Sequence, residues 1–314
     1  MPRIKTMLLA AALTVALAAA WTASASASLK VPYGSEAIAD ALWNETWAPT
    51  SVAGANNNCK PSAAHPYPVV LVHGTFEDEG SNWVTLAPLL YNNGYCVYAF
   101  NYGKTILSGL LGSIDGLGNI ETQSAPELSS FVSNVLSKTG ASKVDMVGHS
   151  QGGMMPNYYL KFLGGASKVH TLIGLSPSNH GTTVSGLTTL IEKFPFATLL
   201  VPTFLEVIGA PSLPQQESGS AFEKKLFSGG DTVAGPRYVV IETTHDEVVT
   251  PYSNAFLSGS SVTNITVQNQ CPKDPTGHIG MIEDSPALQN VLNQLSTSPS
   301  GSFAATCSNY GLGV

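Results

Sequence analysis

With 314 residues, 43% of them hydrophobic and only 11% charged, the chain is long enough to bury a sizeable core. A net charge of −7 without basic clusters excludes a nucleic-acid partner and a basic membrane-binding patch. The four cysteines have spacings that match no zinc pattern, and the acidic triplet 77–79, the one candidate for calcium, lacks the spaced oxygen ligands of a loop site, so neither a metal nor another cofactor is expected.

Residues 1–27 read as a secretory signal peptide. Arg3 and Lys5 precede an uncharged apolar run over 7–20, and Ala23-Ser24-Ala25 and Ala25-Ser26-Ala27 offer small-residue cleavage sites. The run is shorter than the roughly 20 residues of a spanning helix, so no stable membrane anchor is expected. Residues 28–314 are then expected as one secreted, extracellular domain. In that compartment disulfides are the natural state of cysteine. Three pairings are possible, and sequence proximity favours Cys59 with Cys96 and Cys271 with Cys307, each worth about 2–4 kcal/mol.

Residues 31–66, rich in Pro, Asn, Ala and Ser, read as a leading arm with a helix over 36–47. The apolar run 68–72 has the pattern of a strand buried on both faces of a parallel sheet, and it ends at His73-Gly74. The acidic triplet Glu77-Asp78-Glu79 is expected in a solvated loop. A helix over 82–92 is stopped by Gly94, and 96–102 reads as the next strand. Residues 103–118 are loop-like yet greasy. Over 124–138 the apolar positions Leu128, Phe131, Val132, Val135 and Leu136 share one helix face, and Gly140 lies just past its end.

Residues 143–147 form a short apolar strand pattern, and 154–162 can be read as a helix. Between them stands Gly148-His149-Ser150-Gln151-Gly152-Gly153, the one G-x-S-x-G in the chain. A strand-to-helix turn this sharp forces the serine into a strained backbone conformation that only tiny neighbours permit. The hydroxyl of Ser150 is then held clear of the sheet, beside the first N–H groups of a helix. Strand patterns follow at 169–175, 238–242 and 262–267, and a closing helix at 285–295. An apolar insertion, 181–231, reads as a lid or cap. Strands alternating with helices predict an α/β fold with a mostly parallel central sheet.

A serine hydroxyl needs a base within hydrogen-bond reach and a third group to orient that base. His278, in Thr276-Gly277-His278-Ile279-Gly280 after the last strand, is the candidate base. Among the other histidines, His180 and His245 in loops after strands are weaker rivals. Asp246, just beyond the strand 238–242 and followed by Val248-Val249, is the candidate acid, with Glu247, Asp231, Asp274 and Asp284 as alternatives. The oxyanion formed on attack needs two donors. The backbone N–H of Gln151 is one, and the loop after the first strand supplies the other, from Thr75 or from Phe76.

The segments Val70-Leu71-Val72-His73-Gly74-Thr75, Asn82-Trp83, Gly94-Tyr95-Cys96, Gly148–Gly153, Asp246-Glu247-Val248-Val249-Thr250-Pro251 and Gly277-His278, in this order, resemble the secreted bacterial class 2 triacylglycerol lipases of the α/β-hydrolase superfamily. The resemblance implies a catalytic triad of Ser150, Asp246 and His278, an oxyanion hole at Thr75 and Gln151, and no metal-dependent chemistry. It implies a lipid or other acyl-ester substrate, met at an oil–water interface. Carboxylesterase and acyltransferase activities are the nearest alternatives. A non-catalytic lipid-binding protein on a hydrolase scaffold is the alternative of another class.

Overall fold

The computed structural model describes residues 27–110, 114–193 and 209–313. The expected signal peptide, apart from its last residue, lies outside the described residues, and so does the stretch 194–208 of the expected insertion.

Six strands form one sheet in the order β2-β1-β3-β4-β5-β6, parallel throughout. They are β1 Val69–Val72, β2 Val97–Phe100, β3 Val144–His149, β4 Val169–Leu175, β5 Arg237–Glu242 and β6 Val262–Thr266. β1 and β3 are buried at every position, which is why they read as unbroken apolar runs and not as alternation. Alternate side chains serve two helical layers. Val70 and Val72 share a cluster with Leu128 and Val132, whereas Val69 and Leu71 share one with Trp83, Leu86 and Leu288.

The chain steps outward from β1 to β2 and then crosses back to β3. That reversal makes the gap between β1 and β3 the topological switch point, where the carboxyl ends of a parallel sheet leave a crevice. Thr75 follows β1 and Ser150 follows β3, so both lie at this point.

The α-helices before the insertion are α1 Ser35–Trp47, α2 Glu79–Asn82, α3 Leu86–Asn92, α4 Ile106–Leu110, α5 Ala125–Thr139 and α6 Gln151–Phe162, and α7 Val184–Lys193 lies inside it. α5 ends where Gly140 takes a left-handed conformation (φ 75°) and returns its N–H to the Leu136 carbonyl at 2.8 Å. A helix Ser285–Leu295 closes the fold, capped by the Asp284 side chain.

Two expectations need correction. The helix expected over 82–92 is broken into α2 and α3, because Asp78 starts a separate turn by accepting the Ser81 N–H at 2.8 Å in a capping box. The acidic triplet is not solvated: Glu77, Asp78 and Glu79 are 6%, 0% and 6% exposed. Each found a polar partner inside the fold. Glu77 takes the Gly74 N–H, Asp78 caps α2, and Glu79 takes the Asn56 amide. Burial pushes the Asp78 carboxyl up to about 6 and that of Glu79 up to about 7.

The greasy stretch after β2 and the described parts of the insertion pack on one another. Leu107 and Leu117 join Leu190 and Leu213 in a cluster with Phe76 and Val248, which follow β1 and β5. Cys59 is bonded to Cys96 and Cys271 to Cys307, with Cα separations of 5.7 and 5.4 Å. Among the described residues no helix is long and apolar enough to cross a membrane.

Candidate active site

Ser150 stands alone between β3 and α6, at φ 54° and ψ −122°, a conformation that side-chain-bearing residues rarely adopt. The glycines around it are there for space. A β-carbon at Gly148 would overlap the Gly152 carbonyl, and one at Gly152 would overlap the Val72 carbonyl. α6 therefore begins at Gln151, directly after the serine and three residues earlier than the apolar pattern indicated. With no side chains at Gly152 and Gly153, the first helical turn sits against β1 and Pro177.

His278 and Asp246 come together 32 positions apart in sequence. Nδ1 of His278 lies 2.8 Å from Oδ2 of Asp246, and both side chains are 0% exposed. A carboxylate only accepts, so Nδ1 carries the proton and Nε2 of the neutral ring presents a lone pair. Asp246 is itself held by the N–H groups of Val248 and Val249, at 2.9 and 2.6 Å. Burial opposes ionisation of Asp246, but the neighbouring imidazole, aided by the Val249 N–H, outweighs it and keeps its pKa below the usual value. Burial likewise opposes charging of His278; the Asp246 carboxylate, aided by Glu247 and Glu77, outweighs it and raises the pKa.

Ser150 is not joined to this pair by a hydrogen bond. Its side chain caps no helical N–H, and Nε2 of His278 has no partner among the described residues. The two loops meet all the same, since the His149 ring, one residue before the serine, stands 5.0 Å from the His278 ring between centroids. Hydroxyl–imidazole bonds of this kind are commonly long until substrate binds.

The oxyanion candidates are well ordered by hydrogen bonds. Oγ1 of Thr75 accepts from the side-chain amides of Gln151 at 2.8 Å and Gln216 at 3.0 Å. With both lone pairs engaged, the Thr75 hydroxyl proton is free to donate elsewhere. The N–H of Phe76 donates to the Asp115 carbonyl at 3.0 Å, so it is already committed. Gln216 escaped the sequence reading because it lies in the insertion, 141 positions from Thr75, with no local pattern to mark it.

The other acids have structural work. Glu247 accepts the His278 N–H at 3.0 Å and pairs with Lys193 at 3.2 Å. Asp274 accepts from Thr276 N–H, Asp284 from Ala287 N–H, and Asp231 from Ser258 N–H. His180 lies between Glu223 and Asp231. A further acid, Glu242, escaped sequence reading because it looks like the last residue of a strand. It is fully buried beside Asp246 and accepts from the Ser176 hydroxyl and Thr243 N–H. Burial first, and the Asp246 charge second, push its carboxyl well above the usual range, so it stays protonated where Asp246 is ionised.

A largely apolar cavity of ≈ 320 Å³ opens beside this site. Its walls include Ile38 and Leu42 of α1, Ile114, and both neighbours of the histidine, Gly277 and Ile279. Ser150, Asp246 and His278 are not among its lining residues, so it adjoins the polar cluster and does not contain it.

A protein-family model described as Lipase (class 2) matches residues 66–291. A triacylglycerol lipase of Pseudarthrobacter phenanthrenivorans is 37% identical over 101 residues, 31% of this chain and 28% of that protein. One of Burkholderia plantarii is also 37% identical over 101 residues, 31% of this chain and 25% of the relative. The chain thus aligns with only about a quarter of each relative's length. Among solved structures, Aspergillus fumigatus lipase B superposes with a TM-score of 0.54 at 22% identity, over 82% of this chain and 62% of that one. Bacillus licheniformis lipase BlEst2 in its mature form gives 0.52 at 15%, over 77% and 95%. At such identities the likeness is one of fold, that of the α/β-hydrolases.

Proposed function

Because the chain belongs to the class 2 lipase family, we propose that it is a secreted serine ester hydrolase that cleaves triacylglycerols through an acyl-enzyme on Ser150. The observation that carries the reading is the buried His278–Asp246 pair at 2.8 Å, with the free lone pair of Nε2. In the first half-reaction Nε2 removes the Ser150 proton as Oγ attacks the ester carbonyl. The tetrahedral oxyanion is met by the Gln151 N–H and by Thr75, through its N–H and its otherwise unengaged hydroxyl proton. The imidazolium, stabilised by Asp246, then protonates the departing alcohol. Water activated by the same nitrogen releases the fatty acid and restores the serine.

A lipid substrate is supported by the apolar cavity at Gly277 and Ile279 and by the greasy cluster of Phe76, Leu107, Leu190 and Val248. The insertion 181–231 is read as a cover over the acyl chain, and an aqueous–lipid interface as its place of action.

Hydrolysis of p-nitrophenyl esters from acetate to palmitate, and of an emulsified triacylglycerol, tests the reading with Ser150→Ala as control. Wild-type turnover of long chains with loss in Ser150→Ala is expected. Equal rates in wild type and Ser150→Ala would leave a non-catalytic lipid-binding scaffold. Turnover confined to short esters would make the protein a carboxylesterase.

A further inference from the structure

A second buried imidazole–carboxylate pair lies between the turn of Ser150 and the loop of His278, and the acyl-transfer steps leave it unused. His149 is 1% exposed. Its Nδ1 is 3.0 Å from Oε2 of Glu77, and its Nε2 is 3.2 Å from the carbonyl oxygen of His278. A carbonyl only accepts, so Nε2 carries a proton and donates it there. The same Glu77 oxygen accepts the Gly74 N–H at 2.9 Å, a donor shared with Oδ1 of Asn82 at 3.0 Å. The backbone N–H of His278 is taken by Glu247 at 3.0 Å. The backbone of the base is therefore gripped at N–H and C=O while Asp246 holds its ring.

We propose that His149 and Glu77 are positioning residues, which tie the turn of Ser150, the loop of His278 and the loop leading to Thr75 into one unit. The inference rests on the functional reading given above. Its physical basis is the short covalent path: one peptide bond separates the ring that holds the His278 carbonyl from the residue carrying the nucleophile. Fixing residue 149 against residue 278 fixes the separation of residues 150 and 278, and Glu77 carries the same restraint to Gly74, next to Thr75. A buried pair kept only to satisfy its own polarity would be replaceable by apolar side chains without effect on turnover. A pair that sets spacing would not, since a misplacement of about 1 Å at a reacting centre costs about 10²-fold.

The test uses a soluble short-chain p-nitrophenyl ester, with thermal unfolding recorded for every variant. His149→Phe keeps the ring's bulk and loses both bonds. It is expected to lower kcat by about 10²-fold while KM moves less than about twofold. Glu77→Gln keeps a carbonyl oxygen at the position that meets both the Gly74 N–H and Nδ1 of His149, so it should lose less kcat than Glu77→Ala, which keeps neither contact and should fall with His149→Phe. The double variant Glu77→Leu/His149→Phe should lose no more than His149→Phe alone. Wild-type kcat in a folded double variant would overturn the proposal, as would a loss seen only in KM. If His149→Phe does not fold, the Glu77→Ala and Glu77→Gln comparison decides alone, and equal losses in the two would count against it. Failure of the functional reading is separately visible, because Ser150→Ala would then match wild type.

Discussion

Charge and hydrogen-bond logic at a handful of atoms determine what the site can do. Nε2 of His278 must be neutral to accept a proton, and the Asp246 carboxylate keeps the ring's pKa above its ordinary value despite burial. Activity is therefore expected to rise with pH through a midpoint above the ordinary imidazole value of about 6.5. Asp246→Asn removes the counter-charge, so kcat should drop by about 10³–10⁴-fold. The residual activity should titrate at a lower pH, and a pH–rate profile of wild type and variant checks both. Thr75→Val keeps the backbone N–H and deletes the hydroxyl that two amides orient. A loss of kcat of about 10–10³-fold with little change in KM is expected, and an unchanged kcat would remove that hydroxyl from the oxyanion hole. At this scale Ser150 was legible because strain leaves a mark in sequence: only glycines tolerate the crowding at 148 and 152. Glu77, Gln216 and Glu242 left no such mark, since their partners lie far along the chain or in loops without periodicity.

Among the elements, the histidine loop depends on the C-terminal tail. Gly277 donates its N–H to the Leu312 carbonyl at 2.8 Å, and Gly280 has no room for a β-carbon against the same residue. The tail is anchored in turn by Glu283 and Asp284, which accept N–H groups of Leu312 and Gly311, and by the Cys271–Cys307 disulfide. Replacing Cys271 and Cys307 together by serine should lower stability by about 2–4 kcal/mol, read by denaturant unfolding. It should also lower kcat before global unfolding, because the support of Gly277 loosens first. The parallel strands were readable as unbroken apolar runs because both faces are covered, and the helix face of α5 because its spacing repeats. The break between α2 and α3 was not, since a cap at Asp78 inside an acidic run looks like a loop until its partner Ser81 is seen.

Across the whole molecule the buried acids set the response to pH. Burial pushes the carboxyls of Glu45, Glu79, Asp115, Glu283 and Asp284 up to about 7. A raised carboxyl binds its proton more tightly folded than unfolded, so this contribution is full below about pH 4 and is lost as pH rises through about 7. Asp246 and Glu77, held low by their imidazole partners against burial, act oppositely and lose their contribution at acid pH. The raised group is the larger, so the thermal midpoint is expected to be higher at pH 5 than at pH 8, which scanning calorimetry would show. Activity and stability should then have different pH optima, since His278 must be deprotonated to work.

The direct measurement is labelling with a p-nitrophenyl alkylphosphonate, which mimics the tetrahedral intermediate and stays on the nucleophile. One p-nitrophenolate released per chain is predicted, with the phosphonate found by peptide mass spectrometry on Ser150 and the reaction slowed at least about 10³-fold in His278→Ala. A label on any other side chain, or an unchanged rate in His278→Ala, would contradict the account.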